Sequence, residues 1–521
     1  MKEKLKKFLK KHSTAFISLL LVTVIIVAIV FIMYNNNKYN YYERVTAKYN
    51  DASESFAAGF STVNNGYSFT GDEVDRLTSP KPQYRQQEYL ENEFYALINF
   101  GMNTLNGVQS GTGQESPTDF KLTKAIDIAQ WCRTIKAAGF SAVLLNVKDD
   151  DGFCLWSTAT TTHAINHSTY AGGFADLVDT LSSTATGNGL KFGIHYTLYD
   201  KNAKSYGTPS YNNFVAAQLT ELVKSDNYGD IFYFIFDDDY GPNIQPGFEY
   251  DYERFTNIIK NSGGQLQTVV SYKNRIEDVY RIGTSLDDIS DDMWSVVDKN
   301  NPNGAKSSRI DLANASELTF LPAELYVNLR SSNYYNSYER PKSLKELKQL
   351  YFLSVGYNTN LMIGISPTPT GVISDEDVER LTDFGEEIAW TTSIQVTPTK
   401  ITVKEFENYY EDPLLLAMNS ENAQTLYEFP NTTHIVEFIF GTKTTLGRID
   451  LREYLNASQH VEGFEIWVED GTWKLIADRK SIGNRCIIML KNAPSIYKVR
   501  LVIKQSRAAP FIRSVIFYER R

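Results

Sequence analysis

The sequence predicts a (β/α)8 TIM-like barrel followed by an all-β sandwich of jelly-roll type, with one transmembrane helix ahead of both. Three observations lead there. Between about residues 90 and 390, short apolar β-rich runs alternate with helical patterns, the mark of parallel strands joined by crossover helices. From about residue 395 the helical patterns give way to strands separated by turns. Near the start, 21 residues without a charge run from Thr14 to Tyr34.

At about 1.5 Å of rise per residue, that run covers a hydrocarbon core of roughly 30 Å. Ahead of it, in residues 1–13, stand Lys2, Lys4, Lys6, Lys7, Lys10 and Lys11 against Glu3 alone, and basic flanks stay in the cytoplasm. Residues 14–34 are therefore expected to cross the cell membrane once, with the N-terminus cytoplasmic and everything after Tyr34 extracellular. A cleaved signal peptide fits less well, because the apolar run is longer than the usual stretch of about 7–15 residues and MYNNNKYN offers no small-x-small cleavage site. Residues 35–78, rich in Asn, Tyr, Ser, Thr and Gly, read as a stalk.

In the barrel region, 79–392, the clearest strands are FYALINF, SAVLLNV, LKFGIHY, IFYFIF, QTVVSY and NLMIGI. One intervening helix shows Ile128, Trp131, Cys132, Ile135 and Ala138 on one face, with Gly139 as its stop. A doubly wound sheet is the competing fold, disfavoured because no Gly-rich phosphate loop opens a helix. In the sandwich region, 393–521, the strands are HIVEFIFG, RIDLREYL, VEGFEIWVEDGTWKLIA, RCIIMLK, YKVRLVIK and FIRSVIFYE, and Asp470-Gly471 marks a hairpin inside the third. Such a domain, of galactose-binding-like type, serves either to bind sugar on its surface or to support the barrel.

The formal net charge is −10, and the first twelve residues alone contribute +5, so the remainder is strongly acidic and nucleic acid is not an expected partner. Cys132, Cys154 and Cys486 are odd in number and lack metal-type spacing. His163, His167 and His195 are isolated from one another, so neither a metal nor a cofactor is expected. Oligomeric state is not specified by any feature of the chain.

The chemistry centres on Phe232–Asp239, FYFIFDDD, which ends a run of six β-forming residues, Ile231–Phe236, on three carboxylates. A buried strand that delivers an acid at its C-terminal end is how such a barrel builds an active site, and Asp237 is the first acid it delivers. Asp149–Asp151 and Asp287–Asp292 are two further acidic segments at predicted loops or strand ends. Each of these acids equally well caps a helix or faces solvent. Crowded carboxylates raise one another's pKa or recruit a cation.

The motifs NFGMNT (99–104), KDDDGFCLW (148–156), GLKFGIHYTLYDKN (189–202), SYGTPSYN (205–212), YGDIFYFIFDD (228–238), LPAELYVNLR (321–330) and SVGYNTNLMIGISPTPTG (354–371) occur in this order. With RIDLREYL, SIGNR and SRAAP in the sandwich, they make the chain from Pro80 onward resemble the α-L-fucosidases of glycoside hydrolase family 29, in the branch with a C-terminal β-sandwich. The resemblance implies a retaining mechanism in which Asp237 is the nucleophile. It also implies substrate contacts from Asn99, Asp149, Asp150, His195, Tyr199, Glu324 and Arg330, and aromatic contacts from Tyr199, Tyr334 and Tyr335.

Several family positions have changed. Ser285 stands where the family has its acid, with Asp287 and Asp288 two and three residues on as its substitutes. The family's H-F-G is Asn99-Phe100-Gly101, and its K-H-H-D-G-F is Lys148-Asp149-Asp150-Asp151-Gly152-Phe153. Its tryptophan in S-P-W-D is Tyr199, its tyrosine four positions earlier is His195, and its asparagine in L-N-I-P-P is Gly364. Exchange of two imidazoles for two carboxylates suggests a cationic ligand such as an amino sugar. The expected function is a membrane-anchored extracellular glycoside hydrolase resembling a retaining exo-α-L-fucosidase, acting on a cell-surface or secreted polysaccharide. The alternative is a catalytically impaired pseudoenzyme that binds glycan during polysaccharide assembly or attachment.

Overall fold

The computed structural model describes residues 71–520 apart from the stretches 225–227, 263–267, 290–292, 301–311, 313–314, 406–407, 412–418, 420–426, 429–433 and 491–494. The basic segment, the expected membrane span and nearly all of the stalk lie outside the described residues. Among the described residues no helix is long and apolar enough to cross a membrane.

Eight parallel strands form the barrel: β1 Phe94–Ile98, β2 Ala142–Lys148, β3 Lys191–Thr197, β4 Ile231–Asp237, β5 Val269–Tyr272, β6 Tyr280–Gly283, β7 Ala323–Asn328 and β8 Thr359–Ile365. Their hydrogen-bonded order is β5-β4-β3-β2-β1-β8-β7-β6. Among the described residues no ladder closes β5 against β6. Asp278 stitches that seam instead, its N–H donating to Val270 O at 3.0 Å while its Oδ2 accepts from Val270 N at 2.9 Å.

Helices α1 Ile128–Ala137, α2 Leu177–Gly187, α3 Tyr211–Lys224, α4 Tyr252–Asn257, α5 Leu344–Ser354 and α6 Asp375–Thr391 follow β1, β2, β3, β4, β7 and β8. In α1, Asp127 caps the first turn by accepting from Gln130 N at 2.8 Å, and Ile128, Trp131, Cys132 and Ile135 are buried. Gly139, at φ +85°, ends the helix as its position in the sequence predicts. Among the described residues none of these helices follows β5 or β6, and the seven residues Lys273–Val279 between these two strands leave no room for a crossover helix.

Side chains alternate along each strand. In β4, Phe234 and Phe236 belong to the cluster shared with the helices, whereas Tyr233 and Ile235 join Tyr95, Leu97, Leu144 and Met362 inside the barrel. Deep in that interior lies a fully buried carboxylate, Glu324, ion-paired to Arg281 at 3.2 Å and hydrogen-bonded by the hydroxyls of Tyr89 and Tyr95.

The sandwich holds two antiparallel sheets over an apolar core that includes Ile401, Phe438, Leu451, Phe464, Leu501 and Phe517. The expected hairpin joins Val461–Asp470 to Thr472–Arg479 through Gly471 at φ +72°. A buried ion network ties sandwich to barrel. Asp450 takes bonds of 2.6 and 2.7 Å from Arg448 and 2.6 Å from Arg485, and Arg485 also reaches Glu93, next to β1, at 2.5 Å.

Candidate active site

At the C-terminal ends of the strands, the inward alternation passes from apolar to polar side chains. Asn99 beyond β1, Asn146 in β2, His195 in β3, Asp237 in β4, Arg281 in β6 and Asn328 in β7 line a cavity of about 490 Å³ together with Asp149, Lys273 and Tyr326. This is the face of the barrel from which loops present chemistry.

Asp237 sits at the last position of β4 with 29% of its side chain exposed. Burial pushes its carboxyl pKa up, the cations Lys273 and Arg281 pull against that, and Asp239 adds to the rise. Lys273 Nζ stands 3.7 Å from Asp237 Oδ1. The next two acids point elsewhere. Asp238 is fully buried and accepts from Tyr252 Oη at 3.1 Å and Asn274 N at 2.9 Å, while Asp239 binds Lys273 and Asn274.

A bulge in β2 decides which of its acids faces inward. The register against β3 runs Asn146 to His195 and then Lys148 to Tyr196, so Val147 is an extra residue on one side. Lys148 consequently turns to a buried ion pair with Asp200 at 3.0 Å, and Asp149 lines the cavity. Asp149 accepts from Tyr334 Oη at 2.5 Å, Thr197 Oγ1 at 3.3 Å, Asn103 Nδ2 at 3.5 Å and Asp150 N at 2.8 Å. Burial raises its pKa, with the charges of Asp150 and Asp237 adding to the rise against the Tyr334 bond.

Asp150 does not join it. Its Oδ2 pairs with Lys201 at 2.7 Å and accepts from Ser110 at 2.7 Å, off the cavity wall. The carboxylate pair anticipated for an amino group is therefore not assembled: one acid faces in, and its neighbour is already neutralised.

His195 is buried, with Nδ1 3.1 Å from Asn146 Oδ1. Burial, with help from Arg281 and Lys273, drives its pKa down to about 3, so the ring is neutral. With Nδ1–H donating to Asn146, Nε2 is left as an acceptor.

Among the other predicted contacts, Asn99 lines the cavity and donates to Tyr326 Oη at 3.3 Å. Arg330 borders it, but its guanidinium is committed to Asp377 at 2.9–3.1 Å and Glu376 at 3.3 Å. Glu324 lies beneath the wall, enclosed by Arg281 and two tyrosines. Tyr199 is off the wall, packed on Tyr206 with ring centroids 4.9 Å apart. Tyr334 is buried and offers its hydroxyl, and Tyr335 stacks over the Arg330 guanidinium.

Ser285, where the acid was expected, is likewise off the wall. Gly283 and Thr284 line the cavity, but Ser285 caps a short turn, its Oγ accepting from Asp287 N at 3.2 Å while Asp288 Oδ2 accepts from Ser285 N at 3.1 Å. The turn depends on Gly283, at φ +143°, where a Cβ would fall 2.1 Å from Asp288 Oδ2. Neither Asp287 nor Asp288 reaches the cavity, so its carboxylates are Asp149 and Asp237. Among the described residues no cluster of His, Cys, Asp and Glu suits a metal ion.

Sequence reasoning passed over Asn146, Lys273, Arg281, Tyr326, Asn328 and Lys342, all on the wall. A signal existed for one of them: Asn146 is a polar residue at the inward phase of β2, whose preceding residues Ala142–Leu145 are apolar.

The family model for alpha-L-fucosidase matches residues 73–392. The chain is similar to alpha-L-fucosidase 1 of Arabidopsis thaliana, 26% identical over 469 residues, covering 84% of this chain and 87% of that one. Among solved structures it is similar to SpGH29, at 26% identity and TM-score 0.76 over 85% of this chain and 98% of that one. It also shares the fold of a GH29 fucosidase of Ruminococcus gnavus in complex with fucose, at 22% identity and TM-score 0.75, covering 85% of this chain and 95% of that one.

Proposed function

Because the chain belongs to the α-L-fucosidase family, we propose that it hydrolyses a terminal α-linked fucosyl or closely related sugar on a cell-surface or secreted glycan, with Asp237 as the nucleophile. The observation that carries this is Asp237 itself, an acid at the C-terminal end of a barrel strand, open to the cavity, with Lys273 beside it. An Asp237 oxygen attacks the anomeric carbon, the glycosidic C–O bond breaks and the departing oxygen takes up a proton. Water then displaces the carboxylate from the anomeric carbon and frees Asp237, so two inversions give retention.

Supply of that proton distinguishes this chain from its family. Ser285 carries no acid, Asp287 and Asp288 are off the wall, and Asp149 is occupied as an acceptor of four hydrogen bonds. Turnover therefore favours leaving groups that depart unprotonated, and poor ones react about 100- to 10,000-fold more slowly than with a positioned acid. The test is an aryl α-L-fucoside assay of wild type and Asp237→Asn. Turnover that falls on the order of 10,000-fold supports the proposal, and turnover indifferent to the substitution overturns it.

The same missing acid favours a second reading, a protein that holds glycan without cleaving it and works in polysaccharide assembly or attachment. Glycan binding by calorimetry with no turnover even of the aryl substrate would select it. For location, the uncharged run Thr14–Tyr34 behind a lysine-rich start supports a single-pass anchor with barrel and sandwich outside the cell. Digestion of the barrel by protease added to intact cells checks this.

A further inference from the structure

We propose that the glycan carries an acidic substituent, a carboxylate or a sulfate, beside the sugar held at Asp237, and that Lys342 recognises it. This rests on the cavity being a glycan site and names the class of glycan it takes.

The chain as a whole has 62 acidic against 52 basic residues, yet the cavity wall inverts that balance. Lys273, Arg281, Arg330 and Lys342 line it against Asp149 and Asp237. Each cation can be followed to its partner. Lys273 is shared by Asp237 and Asp239, Arg330 is bound to Asp377 and Glu376, and Arg281 meets Glu324 through Nε. Lys342 has no ion pair and its ammonium makes no hydrogen bond among the described residues.

The two carboxylates whose charge acts on Lys342, Glu346 and Glu339, hydrogen-bond to other groups. Glu339 accepts from Ser332 N at 2.9 Å, and Glu346 accepts from Ser343 N at 2.7 Å and Ser343 Oγ at 2.6 Å as the cap of α5. Burial pushes the Lys342 pKa down, and Glu346 and Glu339 do not undo it. A part-buried ammonium with no ion pair among the described residues is left in a costly position that an incoming anion relieves.

The loop that carries Lys342 borders the cavity at both ends. Ser331 and Asn333 at its start and Lys342 at its end line the cavity, and between them Tyr338 is 95% exposed. An aromatic face of this kind stacks against a pyranose ring. An acidic group beside Asp237 and Asp149 would be repelled, so the substituent belongs on the side of the cavity bounded by β7 and this loop.

The test is calorimetry on the full chain at low and high salt. The probes are a fucosylated disaccharide with glucuronate as the second sugar, its glucose counterpart and its 6-sulfated glucose counterpart, each titrated into wild type, Lys342→Gln and Lys342→Arg. Wild type should bind at least one acidic probe about ten- to hundredfold more tightly than the neutral one at low salt. The acidic probe bound more tightly tells carboxylate from sulfate. Lys342→Gln should bring the ratio toward one, Lys342→Arg should keep most of it, and salt should erode it. Equal binding of acidic and neutral probes by wild type, or a preference that survives Lys342→Gln, overturns the inference alone. Failure of wild type to bind any of the three overturns the glycan site as well.

Discussion

Lys273 Nζ lies 3.7 Å from Asp237 Oδ1 while also bonding Asp239, so the cation beside Asp237 is shared between two carboxylates. That sharing sets how readily Asp237 ionises, because burial raises its pKa and Lys273 is the leading influence against it.

Lys273→Met should therefore move the acidic limb of the kcat/KM profile for an aryl fucoside to higher pH. The nucleophile must be ionised, so the loss should be greatest at acidic pH and shrink as pH rises. A profile lowered in height with its limb unmoved would assign Lys273 a role other than holding the Asp237 charge.

Ser285→Glu should place a proton donor where the sequence resemblance puts the acid, one residue beyond the cavity-lining Thr284. Natural glycosides with poor leaving groups should gain at least about tenfold in kcat, a fraction of what a positioned acid contributes. Activated aryl fucosides should gain little. An equal gain on both classes would count against proton donation.

Tyr334→Phe removes the 2.5 Å hydrogen bond to Asp149. This bond favours the ionised carboxylate, so its loss should cost about 1.5–3 kcal/mol in urea denaturation at neutral pH. At pH values low enough to protonate Asp149 the difference should narrow. A cost that does not change with pH would point to packing of the ring alone.

Asp450→Asn should destabilise the fold by about 3–5 kcal/mol, since it leaves the buried guanidiniums of Arg448 and Arg485 short of a counter-charge. Burial opposes ionisation of Asp450, but the two arginines overcome it and hold its carboxyl well below the usual range. A depressed pKa contributes stability above the ordinary carboxylate range of about 4 and loses it as pH falls below that. Wild type should thus approach the variant in stability as the solution is acidified, which denaturation at stepped pH reads directly.

Much of the barrel was legible because β1–β5 and β8 are apolar on both faces and stand out from their surroundings. The strands β6 and β7 did not stand out, because their inward positions hold Arg281, Glu324 and Asn328, which break the apolar run. Asp237 was legible for a related reason: an acid directly after six β-forming residues has few places to go except the mouth of the barrel.

The sequence by itself determined β1–β5 and β8, the hairpin at Gly471 and the delivery of Asp237 at the end of β4, since period-two and period-3.6 patterns are local properties of the chain. Only the tertiary structure decided which of two adjacent acids, Asp149 or Asp150, faces the cavity, because one bulged residue in β2 reverses the phase of everything after it. It also decided which cations are spare. Arg330 is neutralised by Asp377, 47 positions away, and Arg281 meets Glu324 from a different strand, while Lys342 lines the cavity without an ion pair among the described residues. Ion pairing depends on distance in space, and no spacing along the chain reveals it.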